Sequence, residues 1–128
     1  MQKGLNTIST LRDTVKNLLH ADETILYHTP CSLSLFLHKG PSVPGVILTT
    51  NKRLLFIYKE KDNYNPMRYE EYIYENVKEV KEHPYFFSSH ITIYYNDEWV
   101  QFRDIYDKNV RKQLCSIIQK QITSNSLS

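Results

Sequence analysis

The chain has 128 residues, 41% of them hydrophobic and 23% charged, which is the size and composition of one globular domain and excludes a disordered or low-complexity chain. Sixteen basic residues against fourteen acidic ones give a net charge of +2, too weak to support nucleic-acid binding on electrostatics. Ten tyrosines and a single tryptophan lean the chain toward sheet, because aromatic and β-branched side chains suit pleated, half-buried surfaces.

Ile8, Leu11, Val15, Leu18 and Leu19 recur at helical spacing behind Asn6 or Thr7 as a cap, which predicts an N-terminal helix from about Thr7 to Leu19. The apolar period then changes to two. Ile25 and Tyr27 alternate with Leu26 and His28 between Glu23 and Thr29, and Ser32 to Phe36 alternates again. Pro30 stands between them and cannot donate to a central ladder, so this is one bent strand or two short ones. Lys39 to Gly45 is loop by composition, with prolines and glycines in close succession.

Val46 to Thr50 and Leu54 to Tyr58 form two strands around Asn51-Lys52-Arg53. Asparagine tolerates positive φ, so a tight hairpin turn is expected to start at Asn51. Both runs are apolar on both faces, which places them at the centre of the fold, covered on each side. Lys59 to Pro66 is a polar loop. Tyr69 to Glu75 alternates as a strand, and Val77 and Val80 mark a short edge strand or turn. Pro84 to Ser89 is an aromatic loop. A second hairpin follows, with Ile91, Ile93, Tyr95, Val100 and Phe102 inward, Asn96-Asp97 at the turn, and Trp99 and Gln101 on the opposite face.

The chain ends in a helix over about residues 107–122, capped by Asp104 or Asp107. Its apolar stripe is Val110, Leu114, Ile117, Ile118 and Ile122, with Arg111, Lys112, Gln119 and Lys120 expected on the solvent side. The tail 123–128 is expected to fray. No linker or internal repeat divides residues 1–128, so a single domain is expected.

Nothing in this pattern supplies catalysis. The five histidines are scattered, without the spacing of a metal site. Cys31 sits in a strand and Cys115 in a helix, without a nucleophile signature, and two free thiols are expected rather than a disulfide. Three glycines cannot build a phosphate loop, and Glu70, Glu71 and Glu75 alternate as a solvated face. The chain is therefore expected to be no enzyme and to need no cofactor and no metal. No apolar run approaches the roughly 20 residues of a membrane span, and no signal-peptide region is visible, so a cytoplasmic location is expected.

The run Gly45-Val46-Ile47-Leu48-Thr49-Thr50-Asn51-Lys52-Arg53-Leu54-Leu55-Phe56-Ile57 resembles the glycine, apolar strand, Thr-(Asn/Asp)-x-Arg turn and second apolar strand of the bacterial pleckstrin-homology-like (PH-like) domains. The likeness is particularly to their YokE-like group, which is related to GRAM domains. Leu18-Leu19 with Glu23, Ile25, Leu26 and Tyr27, then Tyr72 with Val77 and Val80, then His90 to Ile93, are similar in order and spacing. The likeness runs from Leu18 to Ile122. It implies an α+β, mainly β fold: a PH-like open barrel of about seven antiparallel strands over residues 23–103, with an N-terminal helix and a C-terminal capping helix. The segment Pro30 to Pro44 departs from the pattern, being longer and more broken than the family's first inter-strand loop.

Two groups of residues are candidate binding sites. Lys52 and Arg53 in the hairpin turn, with Lys39, Lys59 and Lys61 in loops, can form a basic rim at the barrel mouth. In eukaryotic pleckstrin domains a basic cluster on the first two strands and their loop binds phosphoinositide headgroups. Here that loop offers only His38 and Lys39, so a structural pairing of Arg53 beside solvated lysines is the simpler reading. Tyr85, Phe86 and Phe87 can serve as a membrane wedge, a partner anchor or core. The expected function is a non-catalytic interaction module that binds a protein or peptide, or itself, since the resemblance also implies self-association. The rival readings are a peripheral adaptor on anionic lipid and a weak single-stranded nucleic-acid binder on exposed tyrosines, the latter disfavoured by the near-neutral charge.

Overall fold

A computed structural model describes residues 11–35, 42–59, 67–84 and 89–126. Lys39, Lys61, Tyr85, Phe86 and Phe87 lie outside the described residues, as does the start of the N-terminal helix. That helix, α1, is described over residues 11–18. Seven strands follow: β1 (Ile25–Leu35), β2 (Val43–Thr50), β3 (Arg53–Tyr58), β4 (Arg68–Ile73), β5 (Val77–Pro84), β6 (Ser89–Tyr95) and β7 (Glu98–Arg103). Helix α2 (Lys108–Ser126) closes the fold. The strands form one antiparallel sheet in the order β4-β3-β2-β1-β7-β6-β5. This is the seven-stranded, helix-flanked, PH-like architecture expected above.

Pro30 does not split β1. It pairs with Val46 of β2, while the ladder to β7 begins only at Ser32. At Pro30 the strand therefore has a ladder on one side, where a missing donor is tolerated. Tyr69 to Glu75 is not all strand: β4 ends at Ile73, and Tyr74–Asn76 forms a 3-10 turn. The Val77 segment is longer than expected and runs as a full edge strand to Pro84.

The two tight hairpins are built differently. Asn96 and Asp97 both have positive φ, 49° and 66°, the conformation whose twist matches a two-residue hairpin. Asn51 is not among the positive-φ residues, contrary to expectation. Its turn is held by the Thr50 hydroxyl, which accepts from the backbone N–H of Lys52 (3.1 Å) and Arg53 (3.0 Å). Asn51 instead ties the turn to the α1–β1 connection, accepting from Thr24 N and donating to Asp22 O.

The two-sided apolar pattern of β2 and β3 has two destinations. Ile47, Leu54 and Phe56 face the barrel interior with Ile91, Ile93 and Phe102. Leu48, Leu55 and Ile57 face outward and pack against Leu11, Val15 and Leu18 of α1. Full burial of each such side chain stabilises by about 1.5–3 kcal/mol, so the hairpin is stabilised from both sides. The sheet stays open between its edges β4 and β5, where Tyr72 and Tyr95 meet edge to face at 5.1 Å.

Helix α2 inserts Leu114 and Ile118, both fully buried, into the interior cluster. Asp107 is its cap, its Oδ1 accepting from Asn109 N and Val110 N. Two expectations about this helix are corrected. The helix runs past its expected end near residue 122, to Ser126, with Thr123 Oγ1 and Asn125 Nδ2 donating to carbonyls one turn back. Arg111 is not on the solvent side: it is 4% exposed. Its Nε donates to Glu82 Oε2 (3.1 Å), and its Nη1 donates to the carbonyls of Ile105 and Tyr106.

Candidate interaction site

Of the expected basic rim, the described residues Lys52, Arg53 and Lys59 do not come together, and Lys39 and Lys61 lie outside the described residues. Arg53 begins β3 and Lys59 follows its end, so about 20 Å of strand separates them. Lys52 is bound to Asp22 at 2.7 Å. Arg53 is 6% exposed and its guanidinium is fully engaged. Its Nε and Nη2 donate to the two oxygens of Glu23, at 2.9 and 3.0 Å, its Nη1 donates to Glu71, and its Nη2 also reaches the carbonyl of Leu18 at 2.7 Å.

Glu23 is held from every side. The Thr50 hydroxyl donates to its Oε2 at 2.6 Å and the backbone N–H of His20 to its Oε1 at 3.1 Å. Burial pushes its carboxyl up, but Arg53, Thr50 and the His20 N–H together outweigh that and bring it down to about 2. This network fastens the end of α1 to the β2–β3 turn and fixes the angle at which the helix leaves the sheet.

That angle leaves a cleft of about 550 Å³ between α1 and the outer face of β1 and β2, within the usual range for ligand pockets. Leu11, Val15 and Leu19 form one wall and Ile25, Val46 and Leu48 the other. Arg12 and Lys16 of α1 and His28 of β1 stand at its edge, all three exposed. The apolar stripe of α1 is legible in the sequence. Its incomplete cover is not: Leu11, Val15, Leu18 and Leu19 are each only half-buried. A helix on its final packing surface normally buries such a stripe.

A second concavity, about 370 Å³, lies on the outer face of β5–β7. Thr92 forms its floor, 4% exposed, and His83 Nε2 shares a hydrogen bond with its hydroxyl at 2.8 Å. His83 and His90 are directly opposite in the β5–β6 ladder, with rings stacked at 4.7 Å. Lys81 lies 5.5 Å from the Trp99 ring centroid and pairs with Glu79. Sequence spacing could not reveal this histidine pair, because it depends on the strand register. Among the described residues, no three His, Cys, Asp or Glu side chains are grouped to hold a metal. Cys31 and Cys115 are free, and burial pushes each thiol up to about 12.

Comparison with known proteins points to one family and one fold. A family model described as "Bacterial PH domain" matches residues 19–120. No curated protein shows a matching sequence. Among solved structures the chain is similar to the Vps36 N-terminal PH domain, with a TM-score of 0.65, 15% identity and 87% of each chain covered. It is also similar to the C-terminal domain of an unknown protein from Leishmania infantum (TM-score 0.63, 16% identity, 91% of this chain and 98% of that one). A DUF1696 family protein with a pleckstrin-homology domain from Shewanella loihica PV-4 superposes at a TM-score of 0.57, with 14% identity and 91% and 90% coverage. At these identities the likeness is one of fold.

Proposed function

The chain belongs to the bacterial PH domain family, and on that premise we propose that it is a non-catalytic interaction module that binds a segment of another protein between α1 and the outer face of β1 and β2. The observation that carries this reading is the cleft itself. Six apolar side chains line a recess that the chain's own described residues leave half-covered, and exposed apolar recesses rimmed by polar groups are where partners dock.

The non-catalytic reading is supported by how the titratable groups are used. Glu23 and Glu82 hold buried arginines, and both thiols are held in their protonated form by burial. Placement in the YokE-like group is part of the proposal and rests on the Gly45–Ile57 run. Among the described residues no helix is long and apolar enough to cross a membrane, and we place the module's action in the cytoplasm.

Backbone amide NMR spectra of the full chain, titrated with amphipathic peptides and separately with anionic vesicles, test this reading. Peptide-induced shifts concentrated at Val15, Ile25 and Val46 are expected. Response to vesicles alone, or peptide shifts confined to β5–β7, would replace it.

A further inference from the structure

Resting on that reading, we infer that the segment taken by the cleft is an acidic amphipathic helix from a partner protein, with apolar side chains at one-turn spacing and carboxylates one turn apart beside them. The walls set the first requirement. The described part of α1 is eight residues long, about 12 Å, which matches roughly two turns of a helix lying alongside it. Such a helix presents apolar side chains at i, i+3 or i+4, and i+7 to a groove. The walls that would receive them come from α1 on one side and from β1 and β2 on the other.

The edge sets the second requirement. Its charged and titratable members are Arg12, Lys16 and His28, and among the described residues no carboxylate lines the cleft. Of the neighbouring acids, Asp22 and Glu23 are held by Lys52 and Arg53, and Asp13 of α1 is exposed but outside the lining. Arg12 and Lys16 are four residues apart on the helix, which puts their β-carbons about 6 Å from each other on one side. Two carboxylates at the same spacing on an incoming helix face both cations at once, and His28 stands on the opposite wall. A single fatty-acid carboxylate would engage one of these positions, and a flat anionic surface cannot enter a recess between a helix and a sheet.

The chain's own segments fit poorly. Residues 1–10 carry Lys3 and no acidic side chain. Helix α2 of a second copy is basic, without Asp or Glu. The acids on β4 are engaged at home, Glu71 with Arg53 and Glu70 with the Tyr58 hydroxyl.

The test uses the full chain and two fluorescent helical peptides of about four turns each, with leucines at i, i+3 and i+7. One carries glutamates beside the leucines and its twin carries lysines. Anisotropy is expected to show the glutamate peptide binding about tenfold more tightly than its twin, since two or three exposed ion pairs contribute about 1–2 kcal/mol together. The preference should shrink with added salt. Arg12→Glu/Lys16→Glu changes only exposed residues, so circular dichroism should show it folded, and it should favour the lysine peptide. If both peptides bind equally with shifts at Val15 and Val46, the acidic preference is wrong and the cleft reading survives. If neither binds, the cleft reading falls with it. If the free chain dimerises through the cleft in sedimentation, the occupant is a second copy and the inference is overturned.

Discussion

Glu23 and Arg53 stand 30 residues apart in the chain and meet side by side, with Arg53 Nε and Nη2 each donating to one oxygen of the carboxylate. The glutamate side chain is completely buried and the arginine nearly so. Removing one partner of such a pair strands a charge in a poorly hydrated place. Arg53→Met should therefore destabilise the fold by about 3–5 kcal/mol in urea denaturation. The double variant Glu23→Leu/Arg53→Met should cost clearly less than the two single changes added together. Additive costs would mean the pair is not coupled.

The same carboxylate sets a pH dependence. Its folded-state value, about 2, lies below its ordinary value of 4.5. The unfolded chain therefore takes up the proton first as pH falls. The stabilisation from Glu23 is complete above about pH 4.5 and declines between there and about pH 2. Glu23→Gln should be less stable than the parent at pH 7 and should show a flatter stability profile across that interval. Parallel profiles for the two proteins would remove Glu23 as the source.

Gly45 has a steric role. A β-carbon there would collide with the Ile57 carbonyl and come within 2.7 Å of the Phe56 ring. The carbonyl belongs to the neighbouring strand of the ladder and cannot swing away as a side-chain tip can. Gly45→Ala should cost about 1–3 kcal/mol by overpacking, visible as a lower thermal midpoint, and an unchanged midpoint would show that β2 and β3 can separate freely.

Both thiols should be silent in the folded protein. With each pushed up to about 12 by burial, little thiolate exists at neutral pH, and thiolate is the reactive form. Ellman's reagent should label Cys31 and Cys115 slowly in the native state and both promptly in denaturant. Prompt native labelling of Cys31 would contradict its position in the interior cluster.

Arg111 offers a test of shape rather than charge. It serves Glu82 and two backbone carbonyls from one planar group, and an ammonium cannot span all three. Arg111→Lys should lose about 2 kcal/mol despite keeping the charge, measured by the same denaturation.

Several of these features were readable in the chain and others were not, for reasons of distance. The β2–β3 hairpin was legible because apolar residues on both faces of a strand require two coverings, and α1 and the barrel interior supply them. The Asn96-Asp97 turn was legible because its residue types tolerate the φ it adopts. The residue type of Arg111 predicts solvent exposure, yet it lies three positions before Leu114 and so on the buried side of α2. Glu82 on a separate strand and the carbonyls of Ile105 and Tyr106 make that burial tolerable. The cleft was hidden in the same way. Each of its walls reads as an ordinary amphipathic segment, and the space between them is set by the Arg53–Glu23 junction, which joins pieces far apart in sequence.

The sheet order has a kinetic meaning. Strands β1 to β4 form a simple meander, as do β5 to β7, and each can assemble from neighbours in the chain. Among the described residues, strand pairing joins the two halves only where Ser32–Leu35 of β1 meets Val100–Arg103 of β7, the longest chain excursion in the sheet. Closing so long a loop costs more entropy than any local turn, and folds dominated by such pairings are slow. During synthesis the first meander must wait, with the β7-facing edge of β1 unsatisfied, until β7 has left the ribosome.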